Sequence, residues 1–173
     1  MTSWEGERLA RHLRRADGRH AKGAIENLML VGGGATSGRG NALANAIVGG
    51  SGRNTLDGGR GNDVLTGKAG SDKFLFDSKL NAKFNRDHVT DFHHGADRIV
   101  LDDDIFRKVG HKITADSFHL GTAAADATDR LIYDRAHGRL YYDSDGAGGH
   151  AKVLFAILDN HATLAAGDFV VVA

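Results

Sequence analysis

The sequence predicts an all-β chain: a short coil of nine-residue repeats, followed by a compact β-rich carboxy-terminal cap. Three observations support this. Glycine opens four consecutive nonapeptides, the chain of 173 residues has 24 glycines and no proline, and nearly all of its acids are aspartate. Glutamate occurs only as Glu5, Glu7 and Glu26. Helical surfaces favour glutamate, whereas tight turns favour the shorter aspartate.

The four units are residues 40–48 (GNALANAIV), 49–57 (GGSGRNTLD), 58–66 (GGRGNDVLT) and 67–75 (GKAGSDKFL). Their sixth positions are Asn45, Asn54, Asp63 and Asp72, and their eighth positions are Ile47, Leu56, Leu65 and Phe74. A fixed period of this kind marks a stacked-repeat architecture. A flexible glycine-rich linker would lack both the periodic large apolar residue and the periodic Asp or Asn. The first six residues of a unit suit a turn, and the last three suit a minimal strand with its middle side chain inward. Two units then complete one coil, so turns on one side recur every 18 residues.

Before the repeats, residues 25–30 read as a strand, followed by a glycine-rich stretch over 32–40. After residue 76, strand-like runs occur at 88–92, 98–101, 131–133, 140–142, 153–158 and 169–172. Turn signals separate them, including Asp143-Ser144-Asp145-Gly146, which reads as a hairpin turn. A repeat array needs such a cap, because its last rung otherwise exposes apolar surface and an open strand edge. The expected organisation is therefore a basic tail over 1–24, repeats over 25–76 and a cap over 77–173.

Charge and composition narrow the function. The chain has 22 basic and 22 acidic residues, which gives no overall signal for nucleic acid. Six cations against three acids lie in residues 1–23, leaving 16 basic and 19 acidic residues in a mildly acidic body. Leu9, His12, Leu13 and Ala16 have helical spacing within that basic start, which is expected to be a solvated tail. Absence of cysteine excludes disulfides and thiolate chemistry. No apolar run approaches the roughly 20 residues of a membrane span, and the amino-terminal region has no apolar core of a cleavable signal.

The turns point to calcium, which takes six to eight hard oxygen ligands in flexible geometry. Glycines at positive φ can aim backbone carbonyls inward, and the sixth residue adds a side-chain oxygen. The 18-residue recurrence pairs Asn45 with Asp63 on one side and Asn54 with Asp72 on the other. Gly50, Gly52, Gly59, Gly61 and Gly70 are the accompanying turn glycines. Without metal, stacked carboxylates about 5 Å apart would repel by roughly 3 kcal/mol per pair at an effective dielectric near 20. Three-residue strands bury too little to offset that, so folding is expected to be coupled to metal.

The repeats resemble those of RTX (repeats-in-toxin) haemolysin-type calcium-binding proteins, with Gly58 to Thr66 fitting the G-G-x-G-x-D-x-U-x pattern throughout. Further segments carry the resemblance. Ile25-Glu26-Asn27-Leu28 is similar to the family's lead-in, and Asp91-Phe92 with Gly95-Ala96-Asp97-Arg98-Ile99 resembles the segment after the repeats in serralysin-type proteases. Asp116-Ser117-Phe118 through Tyr141-Tyr142-Asp143-Ser144-Asp145-Gly146 resembles the cap of many bacterial RTX proteins. The resemblance implies a short parallel β-roll that folds on calcium, and a secreted, extracellular bacterial protein. It also implies export by a type I secretion system reading an uncleaved carboxy-terminal signal, here Asp168-Phe169-Val170-Val171-Val172-Ala173. Acids after the roll contribute ligands in the family, and Asp91 and Asp97 match those positions, so two sites and a third at the roll–cap junction are expected. Asn45 and Asn54 depart from the family's aspartate, and Lys68 replaces a second glycine.

No catalytic constellation is visible. HExxH is absent, His88, His93 and His94 lack a paired Glu, and no nucleophile-elbow or phosphate-loop pattern occurs. The sequence thus points to a monomeric, non-enzymatic calcium-binding module. The alternatives are part of a secreted RTX enzyme whose catalytic domain is absent, or a calcium-dependent adhesive module.

Overall fold

The computed structural model describes Arg14–Arg15 and residues 27–173. Leu9, His12, Leu13 and Ala16, and with them the helix expected in the basic start, lie outside the described residues, as do Ile25 and Glu26.

Two sheets wind along one coil. The first contains β1 (Arg14–Arg15), β2 (Asn27–Met29), β4 (Ala46–Val48), β6 (Val64–Thr66) and β8 (Asp87–Val89), neighbours in that order and all parallel. The second contains β3 (Thr36–Arg39), β5 (Asn54–Asp57), β7 (Lys73–Phe76) and β9 (Arg98–Asp102), again parallel throughout. From β2 to β9 consecutive strands alternate between the sheets, and this alternation makes a parallel β-roll.

The eighth position of each repeat explains why three-residue strands suffice. Leu28, Ile47, Leu65 and Val89 stand in register as one inward row, each at most 5% exposed. Leu56, Phe74 and Ile99 form the facing row, each fully buried. Each of these seven strands therefore contributes at least one core side chain, worth about 1.5–3 kcal/mol when fully buried.

β3 falls in the stretch that composition marks only as glycine-rich. Gly38 occupies the facing row's first place, where a side chain would be expected. A Cβ there would lie 2.8 Å from Leu28 Cδ2, so Leu28 and Leu30 fill the space from the opposite sheet. Because its core residue has no side chain, β3 lacks the apolar signature of a strand.

The coil continues past the last repeat. β8 and β9 form one more turn of the roll, and both sheets then run into the remaining strands. β13 (Val153–Leu158) pairs parallel with β8, followed by β12 (Arg139–Tyr142), β11 (Leu131–Asp134) and β10 (Phe118–Leu120). β14 (Phe169–Val172) pairs parallel with β9 and ends the second sheet. The connection carrying Asp143 to Gly146 joins the antiparallel pair β12 and β13, as a hairpin requires. Phe76, Phe106, Tyr142 and Phe155 form an aromatic chain with centroids 5.0–5.2 Å apart, packing the last coil against these added strands.

Truncating the inner row should therefore cost far more than truncating the surface. Leu65→Ala is expected to destabilise the calcium-loaded protein by about 2–5 kcal/mol, and the half-exposed Val64→Ala by no more than about 0.5 kcal/mol. Denaturant unfolding in excess calcium measures both; equal losses would contradict the inward register.

Candidate calcium-binding turns

The sixth residue of each repeat sits where turn meets strand, and its side chain lies between successive coils. Asn45, Asn54, Asp63 and Asp72 are all buried, at most 5% exposed. Asp63 Oδ1 accepts the backbone N–H of Asn45 (2.7 Å), and Asp72 Oδ1 accepts that of Asn54 (2.7 Å), each 18 residues upstream. The expected pairs are thus brought together on opposite sides of the roll. Asn45 and Asn54 use their own Oδ1 atoms locally, accepting from Asn41 N and Gly50 N (both 2.8 Å).

The second oxygens are left over. Asp63 Oδ2 and Asp72 Oδ2 are buried and have no hydrogen-bond partner. A buried, orphaned carboxylate oxygen carries a large desolvation cost, and both atoms lie beside the opening glycine of their own turn, Gly58 and Gly67.

The turn glycines are needed for close approach of backbone. A Cβ on Gly61 would lie 2.5 Å from Leu43 O, and one on Gly70 would lie 2.3 Å from Gly52 O. Both residues also have φ above +130°, which L side chains rarely adopt. Gly59 has positive φ and faces Asn41 O. Gly50 and Gly52 differ from the sequence expectation, because neither has positive φ. Their α-carbons instead face the carbonyls of Gly32, Gly33 and Gly34 at distances that exclude a side chain. Carbonyl oxygens of one turn thus point at the next turn throughout.

Among the described residues, no three His, Asp or Glu side chains form a group that could hold an ion without other ligands. Carbonyls dominate here, with one or two carboxylates between turns. Buried anionic oxygens without partners, surrounded by carbonyl oxygens, suit a hard cation of high coordination number.

Residues 39–74 match the family model of the RTX calcium-binding nonapeptide repeat, in four copies. The stacked turns are RTX repeats. No curated protein matches the chain as a relative.

The residues following the RTX repeats behave differently. Asp91 gives both oxygens to the fourth turn, accepting from Gly67 N and Lys68 N (both 2.8 Å). That clamp compensates for the missing second glycine, since Lys68 is held at φ 68°, a conformation costing a non-glycine residue roughly 1–2 kcal/mol. Asp97 accepts from Asp72 N and His93 N (both 2.8 Å), continuing the Asn54–Asp72 column.

Asp87 is a residue that sequence reasoning missed. It lies 24 residues beyond Asp63, is 5% exposed, and accepts the Asp63 N–H through Oδ1 (3.1 Å). No glycine-rich nonapeptide introduces it, so only the recurrence of a buried acid one coil later could have pointed to it. The neighbouring histidines make single carboxylate contacts, His88 Nδ1 with Asp159 and His94 Nδ1 with Asp168 (both 2.7 Å).

Burial raises the Asp72 carboxyl to about 6, with further upward pressure from Asp97 and Asp91. Burial likewise raises Asp63 and Asp87, and their mutual repulsion adds to the rise at Asp87. In the folded, metal-free chain these groups retain protons that the unfolded chain releases near pH 4. Folded-state stability is then fully present below about pH 4 and lost as pH rises through about 6 and beyond. The metal-free protein is accordingly expected to unfold at lower denaturant concentration at pH 8 than at pH 5, and saturating calcium should remove that loss. Urea titrations at the two pH values test this; a pH-independent midpoint without metal would contradict the shifts.

Proposed function

We propose that this chain is a calcium-folded, non-enzymatic module of a secreted bacterial protein, with residues 25–76 holding the metal and residues 77–173 closing the roll. The observation that carries this reading is the pair of orphaned, fully buried carboxylate oxygens, Asp63 Oδ2 and Asp72 Oδ2, in carbonyl-lined turns of four RTX repeats. Calcium would be held by carbonyls of successive turns together with Asn45 and Asp63 on one side, and Asn54 and Asp72 on the other. The ion supplies positive charge between anionic groups that otherwise repel. The chain's own residues stack the turns, exclude side chains from the gaps and hold the carboxylates in register.

Coupling metal to folding gives the module its physiological logic. A chain that cannot complete its turns at low cytosolic calcium stays unfolded and fits a narrow export channel. Millimolar calcium outside then drives folding by mass action. Among the described residues, no helix is long and apolar enough to cross a membrane. The last residues, 168–173, serve as the type I export signal before folding and become β14 afterwards. The folded chain acts as a monomer.

Circular dichroism of the purified chain titrated with calcium, with magnesium as control, tests the central claim. A calcium-specific gain of β signal, reversed by chelator, is expected, and indifference to calcium would overturn it. Asp63→Ala should move the folding midpoint to at least tenfold higher calcium, whereas Asp104→Ala, at an exposed position, should leave it in place. Deleting residues 168–173 should reduce secretion through a type I system; undiminished export would remove the signal assignment.

A further inference from the structure

We propose that the outer face of the second sheet is a binding groove for an acidic oligosaccharide, a hydroxyl-rich chain whose sugars bear carboxylate or sulfate groups. The groove is a surface that metal binding does not use. It shares with the calcium-binding turns only Asn54, whose Oδ1 accepts Gly50 N inside the turn while its amide nitrogen faces the groove.

Two ridges bound it. The first follows from strand alternation: Gly38, Leu56 and Phe74 point inward, so the residues before them, Ser37, Thr55 and Lys73, form an outward row in register. The second ridge comes from the residues two places earlier, Ala35, Arg53 and Ser71, stacked at the ends of successive turns. Between the ridges, Asn54 Nδ2 donates to Thr36 Oγ1 (2.6 Å) and closes the floor. Because most ridge residues are small, a space of about 510 Å³ stays open between them. It crosses β3, β5 and β7, about 10 Å from first strand to third.

The lining specifies the ligand. Hydroxyls of Thr36, Ser37, Thr55 and Ser71 both donate and accept, whereas Arg53 and Lys73 only donate. Both cations are exposed, and among the described residues neither side chain has an ion pair or hydrogen bond. No carboxylate lines the groove, and Asp72, beside Lys73, is buried with its Oδ1 on Asn54 N. Arg53 and Lys73 stand on opposite ridges in neighbouring coils, so a ligand lying across β5 and β7 meets both. A lone oxyanion would leave most of this volume empty, and 510 Å³ is the size of pockets that hold whole organic ligands. No aromatic ring lines the groove, so a nucleobase finds no stacking platform. Hydroxyls for hydroxyls and cations for anionic oxygens leave an acidic sugar chain as the match.

The first sheet has no such face. Its equivalent outward row is Asn27, Ala46, Val64 and His88, without lysine or arginine. His88 is already bound to Asp159.

Isothermal titration calorimetry of the full chain in excess calcium tests the groove, with tetragalacturonate, a heparin tetrasaccharide and neutral maltotetraose as probes. At least one acidic probe is expected to bind; tetragalacturonate alone identifies carboxylate as the recognised group, and the heparin fragment alone identifies sulfate. Arg53→Gln/Lys73→Gln should weaken that binding at least about tenfold. Lys108→Gln/Lys112→Gln removes the same charge from exposed positions outside the groove and should leave affinity unchanged. Binding of neither acidic probe overturns the proposal, as does equally tight binding of maltotetraose. Equal effects of the two double variants overturn it too, because net charge then accounts for the attraction. Circular dichroism in calcium checks that each variant folds. Should Arg53→Gln/Lys73→Gln fail to fold, amide NMR of the wild-type chain decides. Shifts on adding the acidic probe are expected at residues 35–37, 53–55 and 71–73, and shifts confined to other residues overturn the site.

Discussion

Besides the backbone bonds of the two parallel sheets, one side-chain bond recurs between successive coils: a backbone N–H at the start of a strand donating to the carboxylate of the residue one coil later. Asn45 to Asp63, Asn54 to Asp72, Asp63 to Asp87 and Asp72 to Asp97 all follow it. These charge-assisted bonds set the stacking register, which in turn aligns the apolar rows at Ile47 and Leu65 and at Leu56 and Phe74. Because aspartate is short, its carboxylate reaches the neighbouring coil without leaving the turn; glutamate would overshoot.

The same arrangement gathers negative charge in a dry place. The two carboxylates that fasten coils within the repeats, Asp63 and Asp72, each retain a second oxygen with no hydrogen-bond partner. The fold is thus built around a deficit that protons meet at low pH and that, on the proposed reading, calcium would meet at neutral pH. Closely approaching backbones, enforced by Gly61 and Gly70, bring in carbonyl oxygens of the neighbouring turn, a lining that suits a large hard cation. At Lys68 the glycine is missing, and Asp91 supplies a two-oxygen clamp in its place.

The turn leading into the second sheet's last coil is tied to the carboxy-terminal segment. Gly95 N donates to Asp168 Oδ1 (3.0 Å), His94 contacts Asp168 Oδ2, and Ala165 N donates to the same oxygen (2.8 Å). Asp168 immediately precedes β14, so the loop that contains Asp97 also positions the final strand. The added strands share the roll's two sheets and aromatic packing, and so extend its core. They remove the open edge that a bare roll would present after β8 and β9.

Periodicity by itself determined the coil, the inward rows and the four sixth-position residues, because each repeat carries its own turn and core signal within nine residues. The strands after residue 76 were largely legible for the same local reason. Tertiary structure alone decided what depends on distant partners. Gly38 is a core position only because Leu28 and Leu30 reach across to fill it. Asp91 and Asp97 turn out to hold amides with both oxygens, and Asp87 becomes the next acid in the Asp63 column only once a 24-residue coil folds back into register. A period can be read from a sequence while the spacing stays constant. Where an insertion breaks the spacing, only the folded backbone brings the partners together.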